Sequence, residues 1–221
     1  RRMIFLGLVG GLGLAALLAL GVWQLQRLAW KEDVLAMIET RIAAAPVPLP
    51  ANPDPQTDRY LAVATAGEIA PQELHVFWVT EAQGAGYRVI SPFVTASGRR
   101  ILLDRGYIRD AEKDSARTGG PVEITGNLLW PDEGDWTTPP PEEDTNILYA
   151  RDIAYMAERL NTEPLLVVLR DGADTPRPLP VSTTGIPNNH LQYAITWFSL
   201  AAIWLAMSTY FLRRRAPSSE S

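Results

Sequence analysis

Two long apolar runs bracket this chain. Met3 to Val22 and Tyr193 to Leu212 each give twenty residues without a charge. A helix rises about 1.5 Å per residue, so each run reaches about 30 Å and is long enough to cross a bilayer. Arg1 and Arg2 precede the first run, and Arg213 to Arg215 close the second. A secretory signal peptide also starts with basic residues. Its apolar core, however, spans only about 7–15 residues and ends at a small-x-small site. Here WQLQRLAWKEDVLAMIETRI continues the run in helical period, with Leu25, Leu28, Val34, Leu35, Ile38 and Ile42 on one stripe. The pattern predicts a retained membrane anchor with an amphipathic continuation on or leaving the membrane. Gly7, Gly10, Gly11 and Gly13 would weaken a soluble helix, whereas in a membrane helix small residues let a second helix approach.

Between the runs the period changes. Residues 46–58 (PVPLPANPDPQTD) hold five prolines and read as an extended linker. Tyr60 to Glu68 and Glu73 to Thr80 are strand-like, set off by Gly67 and Pro71. GYRVISPFV and RRILLDRGYI flank a turn at Ala96-Ser97-Gly98, the clearest hairpin. Pro121 to Trp130 is a further strand, and Leu165 to Leu169 a last buried one. Pro131 to Asp144 is an acidic, proline-rich surface loop. Asp152 can cap a short helix whose inner stripe is Ile153, Met156 and Leu160.

About six strands and one helix predict an α+β membrane protein. Two transmembrane helices flank an antiparallel β-rich, open barrel-like extracytoplasmic domain with a short helix. The expected divisions are a first transmembrane helix at 1–26, an amphipathic helix and Pro-rich linker at 27–58, and the α+β domain at 59–170. A linker at 171–188, a second transmembrane helix at 189–212 and a cytoplasmic tail at 213–221 follow.

Charge orients this layout. Residues 32–190 hold 24 acidic and 13 basic residues. An acidic centre argues against nucleic acid as partner, because phosphate binding needs clustered Lys and Arg. The basic flanks at Arg1, Arg2 and Arg213 to Arg215 place both termini in the cytoplasm, outvoting Arg27 and Lys31. The centre then lies outside the inner membrane, in a bacterium the periplasm. Trp23, Trp30, Tyr193 and Trp197 suit an interfacial aromatic belt.

Candidate chemistry is sparse. The chain has no cysteine, which excludes disulfides, thiolate metal sites and thiol catalysis within it. Four scattered methionines do not suit a copper carrier. Neither a phosphate loop nor a nucleophile elbow occurs, and pairs such as Glu142-Glu143 read as solvated charge, so no enzyme is expected. The two histidines are His75, in a strand-like run, and His190, where the second apolar helix leaves the hydrocarbon. His75 reads as a surface or core histidine. His190 reads as an interfacial group, with Asn188, Asn189 and Gln192 either capping the helix or orienting its ring.

Three segments together resemble a known family: Gly21-Val22-Trp23-Gln24-Leu25-Gln26-Arg27-Leu28-Ala29-Trp30-Lys31, Asp104-Arg105-Gly106-Tyr107-Ile108, and Asn188-Asn189-His190-Leu191-Gln192-Tyr193-Ala194-Ile195-Thr196-Trp197-Phe198. The chain resembles the Surfeit locus protein one family of cytochrome c oxidase assembly factors, over nearly its whole length. It departs from that family at Gly86-Tyr87-Arg88, where the family often has Gly-Tyr-His. The resemblance implies help in building the largest, haem-bearing subunit of an aa3-type oxidase, with haem a bound as cargo and haem a synthase as a further partner. His190 maps onto the family's axial ligand to the haem iron. On that reading Tyr193, Trp197 and Phe198 would line the macrocycle, Trp23 and Trp30 would cover an edge, and Arg27 or Lys31 would pair with the propionates. A membrane-tethered scaffold for the nascent subunit, carrying no haem, is the alternative. A membrane sensor or transporter accessory unit is more distant, because two spans do not form a substrate path alone.

Overall fold

The computed structural model describes the chain except Arg1, Thr118, Glu143, residues 172–175 and 215–221, and except the side chains of residues 2–4 and 6. The basic flanks Arg1 and Arg215, the Arg2 side chain, Glu143 and part of the second linker thus lie outside the described residues. The described residues divide into two compact units, one within 1–37 and 183–214 and the other within 38–182.

Helix α1 (Arg2–Ala43), in the first unit up to Met37, continues the apolar run and the amphipathic stretch without a break. Its partner is α3 (His190–Arg214). The stretches Gly7–Ala43 and His190–Arg214 are long and apolar enough to cross a membrane. Along α1, Gly10, Gly13, Leu17, Gly21, Gln24, Leu28 and Lys31 recur at three- and four-residue steps and are buried or half-buried. The matching stripe on α3 holds buried Ala194 and Ala201. The glycines permit this contact. A Cβ at Gly13 would stand 2.7 Å from the Trp204 ring, and one at Gly21 2.7 Å from Phe198. Trp204 Nε1 donates to the Gly10 carbonyl at 2.9 Å. Gly7 and Gly11, in contrast, face open space. Thr196 and Thr209 return their hydroxyls to the carbonyls of Gln192 and Leu205, at 2.9 and 2.8 Å, so neither is left unpaired on an apolar helix.

The second unit is built on one eight-stranded sheet with a short helix. The strands are β1 (Val47–Pro48), β2 (Ala62–Ile69), β3 (Leu74–Thr80), β4 (Gly84–Thr95), β5 (Arg100–Arg109), β6 (Gly120–Leu129), β7 (Ile147–Leu148) and β8 (Leu166–Leu169). Helix α2 (Ile153–Leu160) precedes β8. The structure corrects the antiparallel expectation. β1 runs parallel to β2, β7 to β3 and β8 to β5, so the sheet is mixed. It also closes where an open barrel was expected. β2, β6, β8, β5 and β4 pair in turn, and β4 returns to β2 through Gly67↔Thr95 to Ile69↔Phe93. The proline-rich segment is a linker only in part, since Val47–Pro48 forms the outermost strand, where a missing N–H costs no ladder bond.

Pro92 marks how β4 serves two partners. Up to Ile90 the strand pairs with β3, and from Phe93 it pairs with β2. The residue that cannot donate falls between them. Gly67 matters at the second junction, because a Cβ there would collide with the Val94 carbonyl. Strand alternation then sorts two cores. Val63, Phe93, Ile101, Leu103, Leu128 and Val167 fill one cluster. Their neighbours Ile90, Leu102, Leu166 and Val168 point the other way, against Met156, Ala157 and Leu160 of α2. α2 is capped as its sequence predicts, with Asp152 Oδ1 accepting the Tyr155 N–H at 3.1 Å and Asn161 ending it in a left-handed conformation.

Candidate functional site

His190 opens α3, and its ring meets α1. His190 Nδ1 lies 2.8 Å from Gln24 Oε1. Gln24 is buried although it sits on the apolar face between Gly21 and Leu28. A polar group there requires a partner, and the imidazole supplies it. With the amide oxygen facing the ring, Nδ1 carries the hydrogen and the lone pair of neutral imidazole falls on Nε2. Hydrogen bonding at one ring nitrogen is how proteins fix which nitrogen binds a metal. Asn188, two residues earlier, contributes a buried side-chain oxygen with no partner among the described residues. His190 is half-buried, and Gly21, one turn from Gln24 on α1, packs against the Phe198 ring. An imidazole whose second nitrogen lies outside this bond has the donor chemistry of an axial haem ligand.

The other expected site residues are divided by the helix periods. Tyr193 and Trp197 follow His190 on α3 at three and seven residues; Tyr193 is 53% exposed and Trp197 half-buried. On α1, Lys31 lies on the same stripe as Gln24, and its ammonium donates to the Pro187 carbonyl at 2.6 Å. Trp23, Arg27 and Trp30 occupy an adjacent stripe at steps of four and three. The Arg27 guanidinium stacks 4.4 Å from the Trp30 ring centroid, and both tryptophans are about half exposed. The structure therefore brings together His190, Gln24 and Lys31 with the chain at Pro187, and sets Trp23, Arg27 and Trp30 on the outer side of α1. Gln24 was missed as a site residue. Its signal was a lone amide within an inward-facing glycine and leucine stripe.

The second motif, Asp104 to Ile108, has a structural reading in the second unit. Asp104 is fully buried. Its carboxylate accepts from Arg88 Nε at 2.7 Å, Arg151 Nη1 at 3.3 Å and the Gly106 N–H at 3.1 Å. Both guanidiniums stand over the Trp78 ring, 5.1 and 5.2 Å from its centroid. Burial works against the Arg151 charge, but Glu133 and Asp104 outweigh it and hold the guanidinium above its ordinary range. Arg88, the residue that departs from the family pattern, is thus the nearest partner of a buried carboxylate. Gly106 has φ +111°, and its backbone passes so close to Arg177 that a side chain would collide with the Arg177 carbonyl. Tyr107 pairs there, its N–H donating to Arg177 at 2.7 Å and its carbonyl accepting at 2.9 Å.

His75 is buried in the same unit, with Nε2 3.0 Å from Glu73 Oε1 and 3.2 Å from Arg117 Nη2. Burial pushes the Glu73 carboxyl up. Bonds from Arg117 and His75 overcome that and bring it down to about 2. This cluster ties β3 to the chain that follows β5.

Comparison with known proteins adds the lineage. The model of the SURF1 family matches residues 12–202. A SURF1-like protein of Monosiga brevicollis is 30% identical over 217 residues, covering 89% of this chain and 83% of its own. Surfeit locus protein 1 of Rattus norvegicus is 30% identical, covering 85% of this chain and 69% of its own. The protein of the same name from Homo sapiens is 27% identical over 83% of this chain and 69% of its own. Gln24, Asp104 and His190 all fall within the matched span.

Proposed function

The chain belongs to the SURF1 family, and on that premise we propose that it is an assembly factor for an aa3-type cytochrome c oxidase. It binds haem a and helps insert it into the largest subunit of the oxidase, acting as a carrier and not as an enzyme. Its place is the bacterial inner membrane, spanned by α1 and α3, with both termini cytoplasmic and the sheet domain periplasmic. Its partners are the bilayer, the largest oxidase subunit and haem a synthase.

The hydrogen bond between His190 Nδ1 and Gln24 Oε1 carries this reading. It leaves Nε2 outside the bond, which supports a ligand there, at the end of a helix that a lipid-borne group could reach laterally. When bound, haem a would supply the iron for which an imidazole is an ordinary axial partner. Tyr193 and Trp197 follow His190 on α3 at three and seven residues, which supports a role in flanking a macrocycle. Arg27, held over Trp30, and Lys31 provide cations for propionates at the interface. The outward tryptophans Trp23 and Trp30 equally suit membrane anchors, which favours the second reading, a tethered scaffold for the nascent subunit that carries no haem.

The protein purified from cells that make haem a should show a bound haem a spectrum that is lost or altered in His190→Ala. A Gln24→Leu variant should keep the haem but change its axial-ligand signature, because the ring loses its orienting bond. A colourless protein whose His190→Ala variant still supports oxidase assembly would reject the haem reading and leave the scaffold.

A further inference from the structure

The loop over residues 131–144 holds Trp136 at its tip, 95% exposed. An indole of this size dominates an interface when covered, and tryptophan is enriched among residues that anchor binding. The loop keeps the side chain out by its own bonds. Asp135 Oδ1 accepts the Thr137 N–H at 2.7 Å and the Thr137 and Thr138 hydroxyls at 2.6 and 3.3 Å. The Asp135 N–H donates to Thr138 Oγ1 at 2.9 Å. A tip fixed before contact loses little freedom on binding.

Beside the tip lies a cavity of about 370 Å³. Pro139, Pro140, Pro141 and Tyr149 give it apolar walls, and Asp135 and Asp152 also line it. Residues 131–144 carry six acidic residues and no basic one. Asp132, Glu133, Asp135, Glu142 and Asp144 are exposed, although Glu133 is engaged by Arg151.

This charge decides between the two surfaces that an exposed indole suits. A bilayer surface with anionic headgroups attracts basic segments and repels such a loop. A basic polypeptide is attracted. A long cationic side chain can lay its methylene stem along the prolines and Tyr149 while its head meets Asp135 and Asp152. A guanidinium can also stack on the open face of Trp136. We propose that the Trp136 tip and the adjoining cavity form a docking surface for an Arg- or Lys-bearing polypeptide segment of a partner protein. This surface belongs to the second unit and does not depend on His190 or on haem.

The test replaces Gly134, which lines the same cavity and has open space for a side chain, with a photoreactive phenylalanine analogue in the full chain, in the cell's own membranes, and identifies the cross-linked species by mass spectrometry. The expected adduct is a polypeptide segment with Arg or Lys flanking the cross-linked residue. Asp135→Asn with Asp152→Asn removes two charges while Asn can accept the same turn and cap bonds. That pair should cut the yield roughly fivefold, as loss of two exposed ion pairs would, with the melting temperature unchanged. Adducts to lipid, adducts to a neutral or acidic segment, a yield indifferent to the pair, or no adduct at all would each overturn the proposal.

Discussion

Glu73 shows how a single side chain in this fold acquires a pH dependence. Its folded value, about 2, lies below the ordinary 4.5 because Arg117 and His75 hold the ionised form against burial. A depressed carboxyl stabilises the fold above its unfolded value, and that contribution fades as pH falls from about 4.5 towards 2. The urea midpoint of the detergent-solubilised protein should therefore fall across that window, and Glu73→Gln should flatten the slope there. Gly106 makes a second case. At φ +111° beside the Arg177 backbone, alanine meets both a disfavoured conformation and a collision. Gly106→Ala should cost about 2–4 kcal/mol in chemical denaturation, the range of strained backbone and overpacked sites. The Asp104 to Ile108 motif was visible in the sequence, but its reason was not. A buried carboxylate shared by Arg88 and Arg151 joins residues up to 63 positions apart, counting from Arg88 to Arg151, and local patterning holds no record of such a meeting.

At the level of elements, the apolar runs, the hairpin and the Asp152 cap could be read directly because each is written in one period or one capping residue. The parallel strands could not. β1 and β7 are two residues long, and the β5–β8 pairing joins segments some sixty residues apart, so nothing local announces them. Closure of the barrel has one local trace, Pro92, a residue poor in a strand interior that sits where β4 changes partners. The site was legible by halves. His190 stood out at a helix end, but Gln24 became its partner only when the small-residue stripe fixed which face of α1 meets α3. That face can be tested in a chain without native cysteine. A Cβ at Gly10 would stand 3.3 Å from Ser208 Cβ, near the separation a disulfide requires. Gly10→Cys with Ser208→Cys should cross-link under mild oxidation within one chain, read as a gel shift reversed by reductant. Gly11→Cys with Ser208→Cys should not, since Gly11 faces open space.

For the molecule as a whole, the sequence pattern carries a statement about sidedness that the packing of either unit leaves open. On the topology proposed above, two spans return the chain to the side where the first began, so the basic flanks share a compartment and residues 38–182 occupy the other. Short basic flanks hold the cytoplasmic side more strongly than a large acidic domain resists it. Arg213 and Arg214 close α3, whereas the Gln24 end of α1 offers only Arg27 and Lys31 before acidic residues begin at Glu32. Moving a guanidinium across the hydrocarbon centre is the costly step, and three consecutive arginines at 213–215 make it costlier at that end. Cysteines placed singly at Ala82, exposed in the sheet domain, and at Ser221 separate the alternatives. In intact cells a membrane-impermeant maleimide should label Ala82→Cys and spare Ser221→Cys until the inner membrane is opened. Labelling of Ser221→Cys in sealed cells, or protection of Ala82→Cys, would reverse or abolish the two-span arrangement, and with it the placement of His190 on the outer side.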